Sequence, residues 1–317
     1  MQIMPLKKSN MPDFLAMWKA AFGDGPEVYE TLQRCFGYEM SSYVLTDDGE
    51  EIKSALCQIE MGTLMDEHGS DISNVSVSYA INTLQNARGS GYGTTITDFA
   101  KLISLDLGNI PVLCPANPEL IDFYRRIGYV PFFYAIQSHV SDSKRPAADV
   151  SCEKIDIKEY NEIRESFLSD RIHVSLSKGA LDYIEASCSG LYKIITEVHS
   201  DDMLLETNGI AAVSGPDDSG RLFIDEIILS PVTSIDSHLY LDPSDEFGAE
   251  ALSDLLAGYL MDEVGATSCT FRMPLPKIDP DVELEDLPGY YVQAMRADIN
   301  KMGATYVLPP YFGFPFD

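Results

Sequence analysis

Hydrophobic and polar positions fall into blocks along this chain, and the period of the pattern changes from block to block. From Asn10 or Asp13 onward, Phe14, Leu15, Met17, Trp18, Ala21 and Phe22 keep a helical spacing that Gly23 and Gly25 close. Pro26 opens a second helix to Phe36, carrying Val28, Tyr29, Leu32 and Phe36. The period then shortens to two over 42–46, 54–64 and 72–84, which predicts three strands, the first two joined by the turn Asp47-Asp48-Gly49. Ile96, Phe99, Leu102, Ile103 and Leu107 return to one helical face, ended by Gly108. Residues 110–114 read as a short buried strand, 117–127 as a helix stopped by Gly128, and 129–140 as a long strand. The order ααβββαβαβ predicts an α/β (α+β) unit, a mixed sheet with helices on its faces.

Residues 141–150 are polar, contain Pro146 and show no period, so they read as a linker. Beyond them the order of the first half recurs. Helices are expected over 157–168 and 178–188, and strands over 191–198, 209–214 and 221–230. An amphipathic helix follows over 247–264, with Leu252, Leu255, Leu256, Tyr259 and Leu260 on its apolar face. A strand at 268–273, a helix at 291–302 and an aromatic strand at 304–316 complete the pattern. Matching parts stand roughly 150–160 residues apart, which points to internal duplication.

Composition adds limits. At 317 residues and 45% hydrophobic, the chain is globular and long enough for two ordinary domains. No apolar run approaches the ~20 residues that span a bilayer, and the amino-terminal residues carry no signal-peptide pattern. Six cysteines lie far apart without a Cys-x-x-Cys pair, and five histidines show no ligand spacing, so the chain is expected to be cytoplasmic and to hold no metal. The net charge of −28 is uneven: residues 1–150 hold 11 basic and 19 acidic side chains, the remainder 11 and 31. Nucleic acid and anionic membrane are poor partners for such a surface; cationic ligands, amines among them, or plain solubility are its alternatives.

The chemistry concentrates between Leu84 and Thr94. A strand ending near Ile81, a loop with Gly89, Gly91 and Gly93, and a helix from Thr95 form an arrangement that holds phosphates through converging backbone N–H groups and the helix dipole. Thr94 and Thr95 are candidates to cap the first turn. An ordinary surface turn with three glycines is the alternative.

Two motifs add a resemblance. Arg88-Gly89-Ser90-Gly91-Tyr92-Gly93, placed after the fourth strand, matches an Arg/Gln-x-x-Gly-x-Gly/Ala loop, and Asn117, Tyr124, Gly128 and Tyr129 match a second spaced motif. In that order the chain resembles the GNAT superfamily of acyl-CoA-dependent N-acyltransferases. The resemblance implies two tandem GNAT-like domains: a catalytic one over 1–140, the linker 141–150, and a second over 151–317. It implies acetyl-CoA as cosubstrate, its pyrophosphate held by Arg88, Gly89, Ser90, Gly91, Tyr92, Gly93 and Thr94. Its pantetheine arm would lie along Ile81-Asn82-Thr83. Asn117 bonds the cofactor in the family, or else caps its helix. Arg125 and Arg126 either face the phosphates or form a solvated face. Tyr124 carries the family's role of protonating the departing thiolate, with packing as the alternative and Phe123 and Ile127 as the pair expected to face the sheet. Glu60, the one acidic residue of its strand, is the candidate base, or lies on a solvated face.

The second copy lacks the glycine loop. In its place stand Asp236, Asp242, Asp245 and Glu246, which would repel a pyrophosphate, so this half is expected to bind no cofactor and either to wall the acceptor pocket or to support homo-oligomerisation. The tandem plan resembles the enhanced-intracellular-survival acetyltransferases without their third, sterol-carrier-like domain. The terminal carboxylate is the base in those enzymes, a role not carried over to Asp317. The expected activity is direct transfer of an acetyl group to a primary amine, small molecule or peptide, with Cys114 as a core residue and no acyl-enzyme. The alternative is an inactive acyl-CoA sensor whose second domain recruits a partner.

Overall fold

The computed structural model describes residues 1–47, 51–141, 149–197, 205–230, 257–275, 289–297 and 308–313. The first half contains β1 (Gln2–Pro5), α1 (Met11–Phe22), α2 (Pro26–Phe36), β2 (Met40–Thr46), β3 (Ile52–Met65) and β4 (Asp71–Thr83). It continues with α3 (Tyr92–Asp106), β5 (Ile110–Leu113), α4 (Glu119–Arg126) and β6 (Val130–Val140). β1, which pairs with β2, had no sequence signal; the other elements follow the expected order closely, because the helices begin or end on residues that restrict the backbone. Gly23, at φ +82°, ends α1 with its N–H on the Lys19 carbonyl, and Pro26 starts α2. Gly49 and Asp48 of the expected first turn lie outside the described residues.

The second half contains β7 (Asp149–Lys154), α5 (Ile157–Phe167), β8 (His173–Leu176), α6 (Lys178–Ser187), β9 (Gly190–Glu197), β10 (Leu205–Ser214) and β11 (Arg221–Leu229). A helix at 257–264 (α7), β12 (Ser268–Pro274) and β13 (Tyr290–Arg296) follow. Three expectations are corrected. β7 and β8 had no sequence signal, and β7 begins inside the stretch read as linker. The helix expected from residue 291 is the strand β13, held between two neighbours that supply its backbone partners. The strand expected over 304–316 is, where described, an irregular strap at 308–313 with one bridge, Tyr311 to His173. Leu252, Leu255 and Leu256 lie outside the described residues.

One sheet runs through the molecule in the order β1-β2-β3-β4-β5-β13-β6-β12-β11-β10-β9-β7, with β8 paired to β3. β4 with β5 and β11 with β12 are parallel; the other ladders among the described strands are antiparallel. The halves exchange strands at the centre: β13 pairs with β5 and β6, while β6 also pairs with β12. Alternation along the strands separates the faces. Val44, Ala55 and Cys57 join a core that also takes Trp18, Tyr29, Tyr160 and Ile184 from α1, α2, α5 and α6. Leu45 and Leu56 point the other way, onto Ile96 and Ala100 of α3.

The orientation of α3 differs from the expected one. Ile96, Thr97, Ala100 and Ser104 are buried, whereas Leu102 and Leu107 are 53% and 67% exposed. The buried hydroxyls are satisfied: Thr97 donates to the Gly93 carbonyl at 2.8 Å and Ser104 to the Ala100 carbonyl at 3.0 Å. Among the described residues no helix is long and apolar enough to cross a membrane.

Candidate active site

β4 and β5 form a wedge. They pair at Val75–Ile110, Ser76–Pro111 and Val77–Val112, and β4 then continues to Thr83 beyond its last rung on β5. A bulge turns β4 at this point: Cys57 faces Tyr79 and Ala55 faces Asn82, so Ala80 and Ile81 together oppose Leu56. Ala80 adopts φ +53°, the left-handed region, which alanine rarely visits and which the surrounding ladder must hold. Asn82 is 8% exposed, its amide donates to the Ala80 carbonyl at 3.2 Å, and its Oδ1 is buried without a hydrogen-bond partner among the described residues. Ile81 packs against both the α3 and the α4 cores, so it lies between them.

At the open end of the wedge the chain makes one short turn and enters α3. Gly91 takes the N-cap position at φ +85° with no side-chain cap, and the first intrahelical bond runs from Thr95 N–H to the Gly91 carbonyl at 2.9 Å. The N–H groups of the preceding residues therefore point out ahead of the helix with no partner inside it. The expected caps are corrected: Thr94 and Thr95 lie within α3, and Thr95 Oγ1 donates to the Gly91 carbonyl at 3.0 Å. Gly93 has a different task. A Cβ there would stand 3.1 Å from Thr83 Oγ1 and 4.0 Å from Phe123, so glycine lets α3 approach the end of β4 closely. A Cβ at Gly89 or Gly91 meets nothing within 4 Å. Arg88 is exposed, with Nε donating to the Thr83 carbonyl at 3.3 Å, and Ser90 is exposed beside it. The Tyr92 hydroxyl donates to Asp47. Uncapped donors, the helix dipole and one guanidinium make a cradle for an anion, and the orphaned Asn82 Oδ1 offers an acceptor inside the wedge; a phosphate followed by an amide-bearing arm fits both.

Tyr124 is the buried residue of α4, 6% exposed, with its ring 6.3 Å from that of Tyr129 and 5.1 Å from Phe123. This reverses the expectation that Phe123 and Ile127 would be the inward pair; both are half-buried. Burial pushes the Tyr124 phenol up to about 12, and Cys114 at the end of β5 adds to the effect. The phenol thus keeps its proton at neutral pH. Asn117 Oδ1 accepts the Leu120 N–H at 3.3 Å and so caps α4. Arg125 and Arg126 are exposed, Arg125 bonded to Asp122 at 3.1 Å. Glu60 is exposed and stands opposite Ser76, a rung at which β4 is still paired to β5. The structure therefore brings Ile81–Thr83, the glycine loop and Tyr124 together, and sets Glu60 on the closed side of the wedge.

Which side chains of the second half approach this site had no sequence signal. Cys114 acts on both Tyr124 and Tyr291 of β13, and Tyr183 of α6 acts on Tyr79 of β4. Tyr291 reaches this place because β13 is a strand between β5 and β6 and not the expected helix. The second half has its own wedge, since β11 loses β12 after Ile224–Phe271. There Arg171 donates to the Leu275 carbonyl at 2.9 Å, and only about 40 Å³ remains open among Ile228, Leu229 and Met273. The segment with Asp236, Asp242, Asp245 and Glu246 lies outside the described residues. Among the described residues no cluster of three His, Cys, Asp or Glu could hold a metal.

No protein-family profile matches the chain, and no curated protein matches it in sequence. Solved structures do match it in fold. A conserved protein of unknown function from Enterococcus faecalis V583 shares 15% identity at a TM-score of 0.58, over 93% of this chain and 72% of that one. A GCN5-related N-acetyltransferase from Kribbella flavida shares 15% at 0.56, over 93% and 70%. Eis1 from Mycobacterium abscessus shares 14% at 0.54, over 94% and 74%. The fold of this chain is that of the GCN5-related N-acetyltransferases.

Proposed function

We propose that the chain is an acyl-CoA-dependent N-acyltransferase that moves an acetyl group from acetyl-CoA to a primary amine by direct transfer. The observation that carries this reading is the wedge between β4 and β5 leading straight to the uncapped N-terminus of α3. Acetyl-CoA supplies the activated thioester. The N–H groups ahead of α3 and Arg88 bind its pyrophosphate, and the edge of β4 at Ile81-Asn82-Thr83, with Asn82 Oδ1, pairs with the amides of its arm. The neutral amine forms the new C–N bond as the C–S bond breaks. Tyr124 gives its proton to the departing sulfur and regains one from water, while the proton of the amine leaves to solvent. The catalytic unit is residues 1–140, the linker 141–150, and the second unit 151–317, which walls the acceptor side and binds no cofactor because Arg171 fills its wedge. Six free thiols suit a reducing cytoplasm.

Release of thiol from acetyl-CoA against a panel of amines tests the reading. Tyr124→Phe is expected to lower turnover about 100-fold or more while leaving acetyl-CoA affinity unchanged. Full activity in that variant removes Tyr124 from the mechanism. Binding of acetyl-CoA without release to any amine would favour a sensor.

A further inference from the structure

Off the carboxyl end of β5, where the chain leaves the strand at Pro115, lies an open cavity of about 1180 Å³. Both halves build it: the 115–118 loop and α4 from the first, Arg272 of β12 and residues 289–292 of β13 from the second. α4 stands between this cavity and the anion cradle. Phe123 turns toward α3, 4.0 Å from the place of a Cβ at Gly93, whereas Asn117, Ile121 and Arg125, spaced one turn apart, line the cavity. Ile121 and Val292 of the lining pack into the same apolar cluster as Tyr124 and Ile81. The cavity therefore adjoins Tyr124 and the edge of β4 from the side away from the phosphates. An acceptor would approach from there in the transferase reading above, on which this inference rests.

The lining runs against the charge of the chain. Acidic side chains outnumber basic ones 50 to 22 overall, yet among the described residues the charged ones here are Asp122, Arg125 and Arg272, and each is already engaged. Asp122 and Arg125 pair at 3.1 Å. Arg272 donates from Nε to Gln137 Oε1 at 3.1 Å, and Asp225 of β11 acts on it from outside the cavity. Asn117 Oδ1 is taken by the Leu120 N–H. The rest of the described lining is apolar or aromatic, including Ile121, Pro131, Val292 and the rings of Tyr134 and Tyr290, stacked at 5.8 Å and 23°. Apolar surface gains by leaving water for such a wall. An ammonium would give up its hydration and meet no unpaired carboxylate among these residues. The attacking nitrogen escapes that penalty, because it must be neutral to form the new bond; a second ammonium does not.

We propose that this cavity takes the body of the acceptor, and that it selects monoamines with a long or aromatic apolar body over diamines and polyamines. The test compares hexylamine with hexamethylenediamine, which differ by one terminal amino group, as acceptors in thiol release. In the wild type, kcat/KM is expected to favour hexylamine roughly tenfold or more. The acidic surface would draw the diamine more strongly, so this preference arises at the cavity and not outside it. Ala116→Glu, in the exposed loop, and Val292→Asp, on β13, each place a carboxylate in the lining and should narrow the preference or reverse it. Calorimetric titration with the products needs no turnover: N-hexylacetamide should bind the wild type roughly tenfold more tightly than N-acetylhexamethylenediamine. Equal use of the two amines, or a preference for the diamine, keeps the transferase reading and overturns the inference. So does product binding that ignores the second ammonium, or a preference unchanged in both variants. Tighter binding of N-hexylacetamide without thiol release from either amine would keep the selective cavity and overturn the transferase reading instead.

Discussion

Gly91 and Gly93 sit two residues apart and do different work. Gly91 ends the loop in a left-handed conformation that leaves the helix donors uncovered, whereas Gly93 lets α3 rest on Thr83. Gly93→Val should therefore cost about 1–3 kcal/mol of stability in chemical denaturation, because its side chain must displace Thr83 or Phe123. An unchanged midpoint would mean that this contact is not tight. Tyr124 makes a second prediction. With its phenol near 12, kcat should not fall through loss of this proton between about pH 7 and 10. A fall centred in that range that disappears in Tyr124→Phe would contradict the burial that raises it. That the glycines stand between β4 and α3, and Tyr124 on the helix after β5, was legible in the sequence. Their surroundings were not: an eight-residue helix with Phe123 and Tyr124 adjacent gives no period long enough to say which ring faces inward.

The same limit acts on α3 for a different reason. Hydropathy favours Leu102 and Leu107 for the core, but the buried stripe contains Thr97 and Ser104, whose hydroxyls bond to carbonyls one turn back. Gln58 of β3 adds a bond to Ser104 at 3.0 Å, so the packing between α3 and the sheet is partly polar. Ile96→Ala should cost about 2–5 kcal/mol, and Leu102→Ser less than about 0.5 kcal/mol. Comparable losses would mean the helix is turned toward its leucine face. The strand state of β13 is likewise set by its surroundings. Tyr-Tyr-Val-Gln-Ala-Met-Arg suits either state, and the vacancy between β5 and β6 that makes it a strand is created by residues far away in sequence. First-half strands were legible because neighbours in sequence pair in the sheet, as β2, β3 and β4 do.

Across the whole molecule the halves are tied by more than the exchanged strands. Gln293 of β13 donates to the Gly313 carbonyl at 2.6 Å and accepts the Phe312 N–H at 3.1 Å, which fixes the strap. Beneath the strap Arg164 and Glu226 form a fully buried ion pair at 3.0 Å, with Tyr160 also donating to Glu226. Glu226→Gln would leave the buried Arg164 charge with Glu165 at 3.2 Å as its remaining carboxylate, at a cost of about 3 kcal/mol in unfolding measurements. A loss below about 1 kcal/mol would show that water reaches the pair. Burial raises the phenols of Tyr29, Tyr124, Tyr183 and Tyr291 to about 12 from the usual 10. Their folded affinity for the proton exceeds the unfolded one, so this stability is present below pH 10 and is lost as pH rises toward 12. Tyrosinate absorbance should then rise together with unfolding, and ionisation of these rings in a folded chain would contradict their burial. The central claim is that one cofactor binds, at the glycine loop, and titration calorimetry with acetyl-CoA on the wild type and Gly91→Glu tests it most directly. One equivalent per chain for the wild type and none for a folded Gly91→Glu is the expected result. No binding to the wild type, two equivalents, or unchanged affinity in the variant would contradict it.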